Sequence, residues 1–168
     1  MNLYSTEKPR LHVIAGTSQD VDQYLAKLRY DSRSRLAICL LRGQHMQDMQ
    51  GLYNEMGAAL QFPLYFGRNW AALDECLADL EWLPATGYVL VFADAPMILK
   101  SSAKEDPGAF FQLLTRISGE WAERSGEGPE RGPKSFHVLL HAETSEAEQF
   151  AQVVNAAIGE AVSTVPLK

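Results

Sequence analysis

Short apolar runs alternate along the chain with segments whose apolar residues recur at helical spacing. The apolar runs of strand length lie at residues 11–15, 36–41, 88–92 and 136–141. Apolar positions three and four apart predict helices over residues 20–29, 48–61, 69–81, 109–123 and 145–157. Runs 36–41 and 88–92 are continuous, as in strands covered on both faces. This alternation predicts an α/β fold: a small parallel sheet of three core strands, with the N-terminal run as a candidate fourth, packed with helices.

The chain of 168 residues has room for one compact domain. We therefore predict a single domain over residues 1–168, with an N-terminal β-α extension over about 1–34 and an extra C-terminal helix over about 145–160. Ser145 and Glu148 have the spacing of a capping box, which would open that helix. Residues 125–135 are rich in Gly, Pro and charge, and they predict a loop.

The formal net charge of −6 changes the choice of partner. It disfavours nucleic acid, an anionic membrane surface or an acidic substrate, and it permits a basic protein. No window approaches the roughly 18 apolar residues of a membrane helix, and the N-terminus lacks the apolar run of a signal peptide. We expect the protein in the cytoplasm, with Cys39 and Cys76 as small core residues.

The residues typical of enzymes are sparse. His137 and His141 lie four apart in a predicted strand, roughly 13 Å from each other, which is too far to share a metal ion. The sequence contains no phosphate-binding loop, nucleophile elbow or Cys-x-x-Cys pair, so we expect no cofactor, no metal and no catalytic residue. Asp94 follows a strand, where α/β enzymes keep catalytic groups, but a turn before Pro96 explains it as well.

The helix over residues 69–81 carries four acidic residues and no basic one. With Asn69 as its N-cap, one arc faces the core, and it consists of Trp70, Leu73, Cys76, Leu77 and Leu80. The opposite arc consists of Ala71, Asp74, Glu75, Ala78 and Asp79.

Local helix stability does not explain these acids. Glu75 and Asp79 are four apart with like charge, which costs a few tenths of a kcal/mol, and no basic residue stands three or four positions from Asp74. Ala71 and Ala78 would let another surface approach the carboxylates closely. Two interpretations stay open: a binding surface for a cationic partner, or a solvated acidic face.

A specific signature accompanies this helix. It comprises Pro63, Tyr65, Phe66, Gly67, Asn69, Ala72, Leu73, Cys76 and Leu77, followed by the strand YVLVF. From about residue 36 to about residue 142 the chain resembles the barstar family, intracellular inhibitors of a secreted guanyl-specific ribonuclease.

The resemblance implies a non-catalytic inhibitor, an immunity or antitoxin protein, whose acidic helix and preceding loop plug the active site of a ribonuclease or ribonuclease-type toxin. Position by position, Glu75 replaces the RNA phosphate and Tyr65 stacks on the catalytic histidine. The implied partner-binding residues are Tyr65, Phe66, Gly67, Arg68, Asn69, Ala71, Asp74, Glu75, Ala78 and Asp79.

Four positions depart from the family pattern. Ala71 and Arg68 replace acids, Asp74 replaces a tryptophan, and Arg116 stands where the helix after the second strand would carry a further acid. The acidic surface is thereby redistributed. Three alternatives stay open: a binding module with a non-nuclease partner, an enzyme centred on Asp94, and a role for Phe66 as a core anchor.

Overall fold

The computed structural model describes residues 1–30, 35–126 and 132–167. The strands are β1 (Leu11–Ala15), β2 (Leu36–Arg42), β3 (Gly87–Ala93), β4 (Ser135–Ala142) and β5 (Ser163–Pro166). The helices are α1 (Ser18–Tyr30), α2 (Met49–Ala59), α3 (Trp70–Asp79), α4 (Asp106–Ala122) and α5 (Ala147–Ile158). Of the predicted loop over residues 125–135, residues 127–131 lie outside the described ranges.

All strand pairs of the sheet are parallel, in the order β2-β3-β4-β1-β5. This confirms the α/β class and corrects the expected three or four strands to five within the described residues. The missed strand is β5, whose His12–Ser163 and Ala15–Pro166 registers place it beside β1. Four residues ending in proline carry too little periodicity to stand out in the sequence.

Burial differs sharply between the centre and the edge of the sheet. Every residue of β4 is buried, and so are all but the last of β3. In β2 Cys39 and Leu41 are buried on one face, while Ile38 and Leu40 are half-buried against apolar residues on the other, so the run is covered on both faces but incompletely. The reason is its place in the sheet, because β2 pairs with β3 alone within the described residues and forms an edge.

Side chains alternate between the two faces of the sheet and build two apolar layers. On one face, Leu90 and Leu140 pack in the large core with residues of α2, α3, α4 and α5. On the other, Val89 and Leu139 pack with Leu3 and with the inner side of α1. Cys39 and Cys76 are free and buried in the core, as expected.

The start of α5 corrects a second expectation. The helix begins at Ala147 after Glu146, and no side chain caps it, so the predicted box of Ser145 and Glu148 is wrong. A backbone turn takes its place, because the amides of Glu146 and Ala147 both donate to the carbonyl of Glu143 at 3.0 Å. No helix within the described ranges is long and apolar enough to cross a membrane.

Candidate functional site

Helix α3 begins where the sequence predicts. The side chain of Asn69 accepts a hydrogen bond from the Ala72 amide at 2.9 Å and caps the helix. Its inner face buries Leu73, Cys76 and Leu77, which confirms the predicted core-facing arc. Trp70 lies at the margin of that arc and is only partly buried.

Helix α4 holds the C-terminal turn of α3. The indole of Trp121 donates to the carbonyl of Leu77 at 2.9 Å, and the guanidinium of Arg124 donates to the carbonyl of Ala78. Arg124 also stacks over the Trp121 ring at 3.3 Å. Carbonyls that a helix end leaves without partners are thereby satisfied, and a cation stands at the negative end of the helix dipole. The helix is fixed before any partner arrives.

The outer face of α3 is acidic and open to solvent. Glu75 and Asp79 are exposed, and Ala71 beside them is exposed as well. Neither acid forms a hydrogen bond or ion pair with another described residue. Burial raises the pKa of the Cys76 thiol, and the negative charges of Asp79 and Glu75 raise it further. Asp79 also acts electrostatically on the nearby Arg124, whereas Glu75 has no cation beside it among the described residues.

Asp74 behaves differently from its neighbour Glu75. Its carboxylate lies 2.6 Å from a guanidinium nitrogen of Arg116 on α4, which also pairs with Glu120. These two carboxylates raise the pKa of Arg116, with the Asp74 hydrogen bond as the larger cause. The local sequence offers Asp74 no basic partner, and the fold supplies one. Its partner stands 42 residues away in sequence, beyond the reach of a local helical pattern.

The loop before α3 displays some side chains and anchors others. Tyr65 is 75% exposed, as a contact residue must be, and Gly67 and Arg68 are also exposed. Phe66 is half-buried, with its ring centroid 4.9 Å from that of Phe62, which favours the core-anchor alternative for Phe66. Leu64 is fully exposed beside Tyr65, and sequence reasoning missed it. The only signal was an apolar residue between two loop residues of the signature.

The loop and α3 lie inside a sequence match to a known family. The family described as Barstar (barnase inhibitor) matches residues 36–141. The chain belongs to the barstar family. The match runs from β2 to the penultimate residue of β4, and it confirms the resemblance found in the sequence. Strands β1 and β5 and helices α1 and α5 lie outside it. No curated protein matches the chain.

The barstar-family fold of this chain also resembles parts of larger proteins. The ORC1 protein of Aeropyrum pernix, solved in complex with DNA, is 13% identical with a TM-score of 0.59, and the match covers 96% of this chain and 40% of that one. The ADP form of the Aeropyrum pernix ORC2 protein is 10% identical with a TM-score of 0.61, covering 96% and 43% of the two chains. At such identities the likeness concerns the fold alone, and this chain spans less than half of either protein.

Asp94 stands beside a histidine, because its Oδ1 lies 3.8 Å from Nδ1 of His141, but both ring nitrogens of that histidine are engaged elsewhere. Asp94 accepts a hydrogen bond from Gln44 at 2.8 Å, and its amide donates to Nδ1 of His141 at 3.1 Å. Nε2 of His141 lies 3.1 Å from the carbonyl of Gly16. Both ring nitrogens of this fully buried histidine are engaged with the backbone, so it ties strand ends together and has no nitrogen free to accept a substrate proton.

Proposed function

We propose that this barstar-family protein is a non-catalytic inhibitor of a ribonuclease or ribonuclease-type toxin. It would dock α3 and the preceding loop into the cationic active site of that enzyme. The observation that carries the proposal is the exposure of Glu75 and Asp79, neither of which forms a direct ion pair with another described residue. Such an inhibitor would serve as an immunity protein in the cytoplasm of the cell that makes it.

In this proposal Glu75 is the phosphate mimic. A ribonuclease places cationic groups around the phosphate of its RNA substrate, and a carboxylate on a rigid helix can occupy the same position. Ala71, one turn before Glu75, leaves room for close approach, and Tyr65 offers an exposed aromatic ring in the loop before the helix. Opposite charges speed the encounter of the two proteins. Once water is excluded from the docked pair, the lower dielectric constant strengthens the attraction between the two charges.

The surface formed by α3 and the preceding loop is less acidic than the sequence alone indicates. This supports a second candidate function. Asp74 is neutralised by Arg116, and Arg68 adds an exposed cation to the loop. A partner with an acidic group opposite these arginines would fit as well as an evenly cationic pocket. A protein-binding module with a non-nuclease partner is therefore the alternative.

We propose no nucleotide binding, although one structurally similar protein is described as an ADP form. In this chain Asp20 closes the turn between β1 and α1, since its carboxylate accepts hydrogen bonds from the amide and hydroxyl of Thr17, both at 2.7 Å. These bonds lower the pKa of Asp20. A negative charge thus stands at the helix N-terminus, where a phosphate would otherwise meet free amides.

The test is inhibition of RNA cleavage. The purified protein is titrated into a panel of cationic ribonucleases that includes barnase. We expect inhibition of at least one enzyme that raises KM without changing kcat, because inhibitor and RNA compete for one site, and that weakens with added salt. Undiminished cleavage by every enzyme at excess inhibitor would contradict the proposal. Saturable binding to a non-nuclease protein would then favour the alternative.

A further inference from the structure

The loop over residues 61–68, called the display loop below, carries two adjacent exposed apolar side chains. Leu64 is fully exposed, and Tyr65 is 75% exposed. Single exposed apolar residues are ordinary on a protein surface. Two exposed apolar residues in succession, next to a helix face proposed to bind a partner, indicate a contact surface more strongly than a single one does.

The display loop is held firmly on both sides of these two residues. The Phe62 amide donates to the carbonyl of Gly57, and the Phe66 amide donates to that of Pro63, both at 2.9 Å. The rings of Phe62 and Phe66 meet at 4.9 Å, and the Trp82 ring contacts Phe62 at 5.9 Å. The loop therefore loses its conformational entropy when the protein folds. A partner that covers the loop tip does not have to order it, so the favourable free energy of apolar burial is not offset by that cost.

Charge divides the candidate surface into two halves. The outer face of α3 carries Glu75 and Asp79, whereas the described residues that line a groove beside the display loop include the cation Arg68 and no acid. That groove is lined by Tyr53, Asn54, Gly57, Ala58, Phe62, Pro63, Leu64, Phe66 and Arg68. Cationic groups of a partner match the acids of α3, while Leu64 and Tyr65 at the loop tip match an apolar surface.

We propose, on the basis of the inhibitor function above, that Leu64 is a second anchor of the complex. It inserts into an apolar depression beside the cationic active site of the ribonuclease. Leu64 directly precedes Tyr65, so the apolar contact is continuous with the contact proposed for the acidic helix. The partner class is thereby narrowed to cationic ribonucleases with an apolar patch next to the catalytic pocket.

The test compares Leu64→Ser with Val153→Ser, a matched change at an exposed aliphatic residue on α5. The probe is the ribonuclease of the panel that the wild-type protein binds most tightly. We expect Leu64→Ser to weaken binding about tenfold through faster dissociation, as for loss of one buried aliphatic side chain. The loss should be equal at low and high salt, because no charge is removed. Leu64→Met should restore the affinity, and Val153→Ser should match the wild type.

Unchanged affinity of Leu64→Ser, alongside firm binding by the wild type, would overturn this inference and leave the inhibitor function intact. A loss that vanishes at high salt would also overturn it. Failure of the wild type to bind any ribonuclease of the panel would overturn the inhibitor function and the inference together. Equal unfolding midpoints in urea for Leu64→Ser and the wild type would show that the variant is folded.

Discussion

At the scale of single residues, two adjacent acids of α3 have different surroundings. Glu75 faces solvent, while Asp74 pairs with Arg116 on α4. Helical spacing predicted the core-facing arc and the Asn69 cap because both depend on residues within one turn or two. The ion pair was not predictable in the same way, since it depends on how α4 packs beside α3.

This ion pair leads to a prediction for Arg116→Gln. The variant leaves Asp74 unpaired and adds one negative charge to the proposed surface, so association with a cationic ribonuclease should be faster and more salt-sensitive. Because both side chains are more than a third exposed, we expect the free energy of unfolding to change by less than about 1 kcal/mol. Stopped-flow association at two salt concentrations checks the rate.

The matched control is Lys27→Gln, which makes the same charge change at an exposed residue of α1. If Arg116→Gln associates no faster than Lys27→Gln, Asp74 contributes nothing to steering the partner.

At the scale of elements, buried histidines connect β1 and β4 to the two ends of the chain. Nδ1 of His12 lies 2.6 Å from the hydroxyl of Ser163 on β5, and Nε2 of His137 lies 2.9 Å from the carbonyl of Ser5. The two imidazole rings stack at 5.6 Å. The other nitrogen of each ring is buried without a hydrogen-bond partner in the described part of the chain. A proton on either ring would place charge in an apolar layer.

The pKa values of these histidines predict acid sensitivity. Burial, followed by the charge of His137, lowers the pKa of His12 from 6.5 to about 4, and burial lowers the pKa of His137. Between pH 4 and 6.5 these histidines bind protons in the unfolded chain but not in the native protein. The free energy of unfolding is therefore highest above about pH 6.5 and falls as the pH drops toward 4. His12 alone accounts for a loss of roughly 3 kcal/mol. The measurement is the free energy of unfolding in urea as a function of pH.

His12→Gln should flatten this pH dependence. An equally steep loss of stability in His12→Gln would remove His12 as its cause.

The elements also show which features a sequence pattern can and cannot predict. Strands β1 to β4 and all five helices follow from apolar periodicity, because each contains enough residues to show its period. The edge position of β2 and the pairing of β5 with β1 do not follow from it. Periodicity reports which residues of a segment are apolar, whereas strand order is decided by contacts between segments distant in sequence.

At the scale of the whole molecule, the segments outside the family match extend the sheet. Strand β1 pairs with β4 and carries β5 on its far side. Glu75 and Asp79 stay exposed in the complete described structure, so the described terminal segments do not cover them. The signature residues of the sequence indicated this surface. The neutralisation of Asp74 and the exposure of Leu64 could be seen only in the structure, because they depend on how α3 and the display loop pack.

The most direct test of the proposed inhibitor function is the dissociation constant of Glu75→Ala for the ribonuclease that the wild type inhibits. Asp22→Ala on α1, which removes an equal charge from an exposed site elsewhere, is the control. Removing one member of a buried charge pair costs about 3 kcal/mol, so Glu75→Ala should bind roughly 100-fold more weakly than the wild type. Asp22→Ala should bind like the wild type. Equal dissociation constants for the two variants would contradict the claim that Glu75 takes the place of the RNA phosphate.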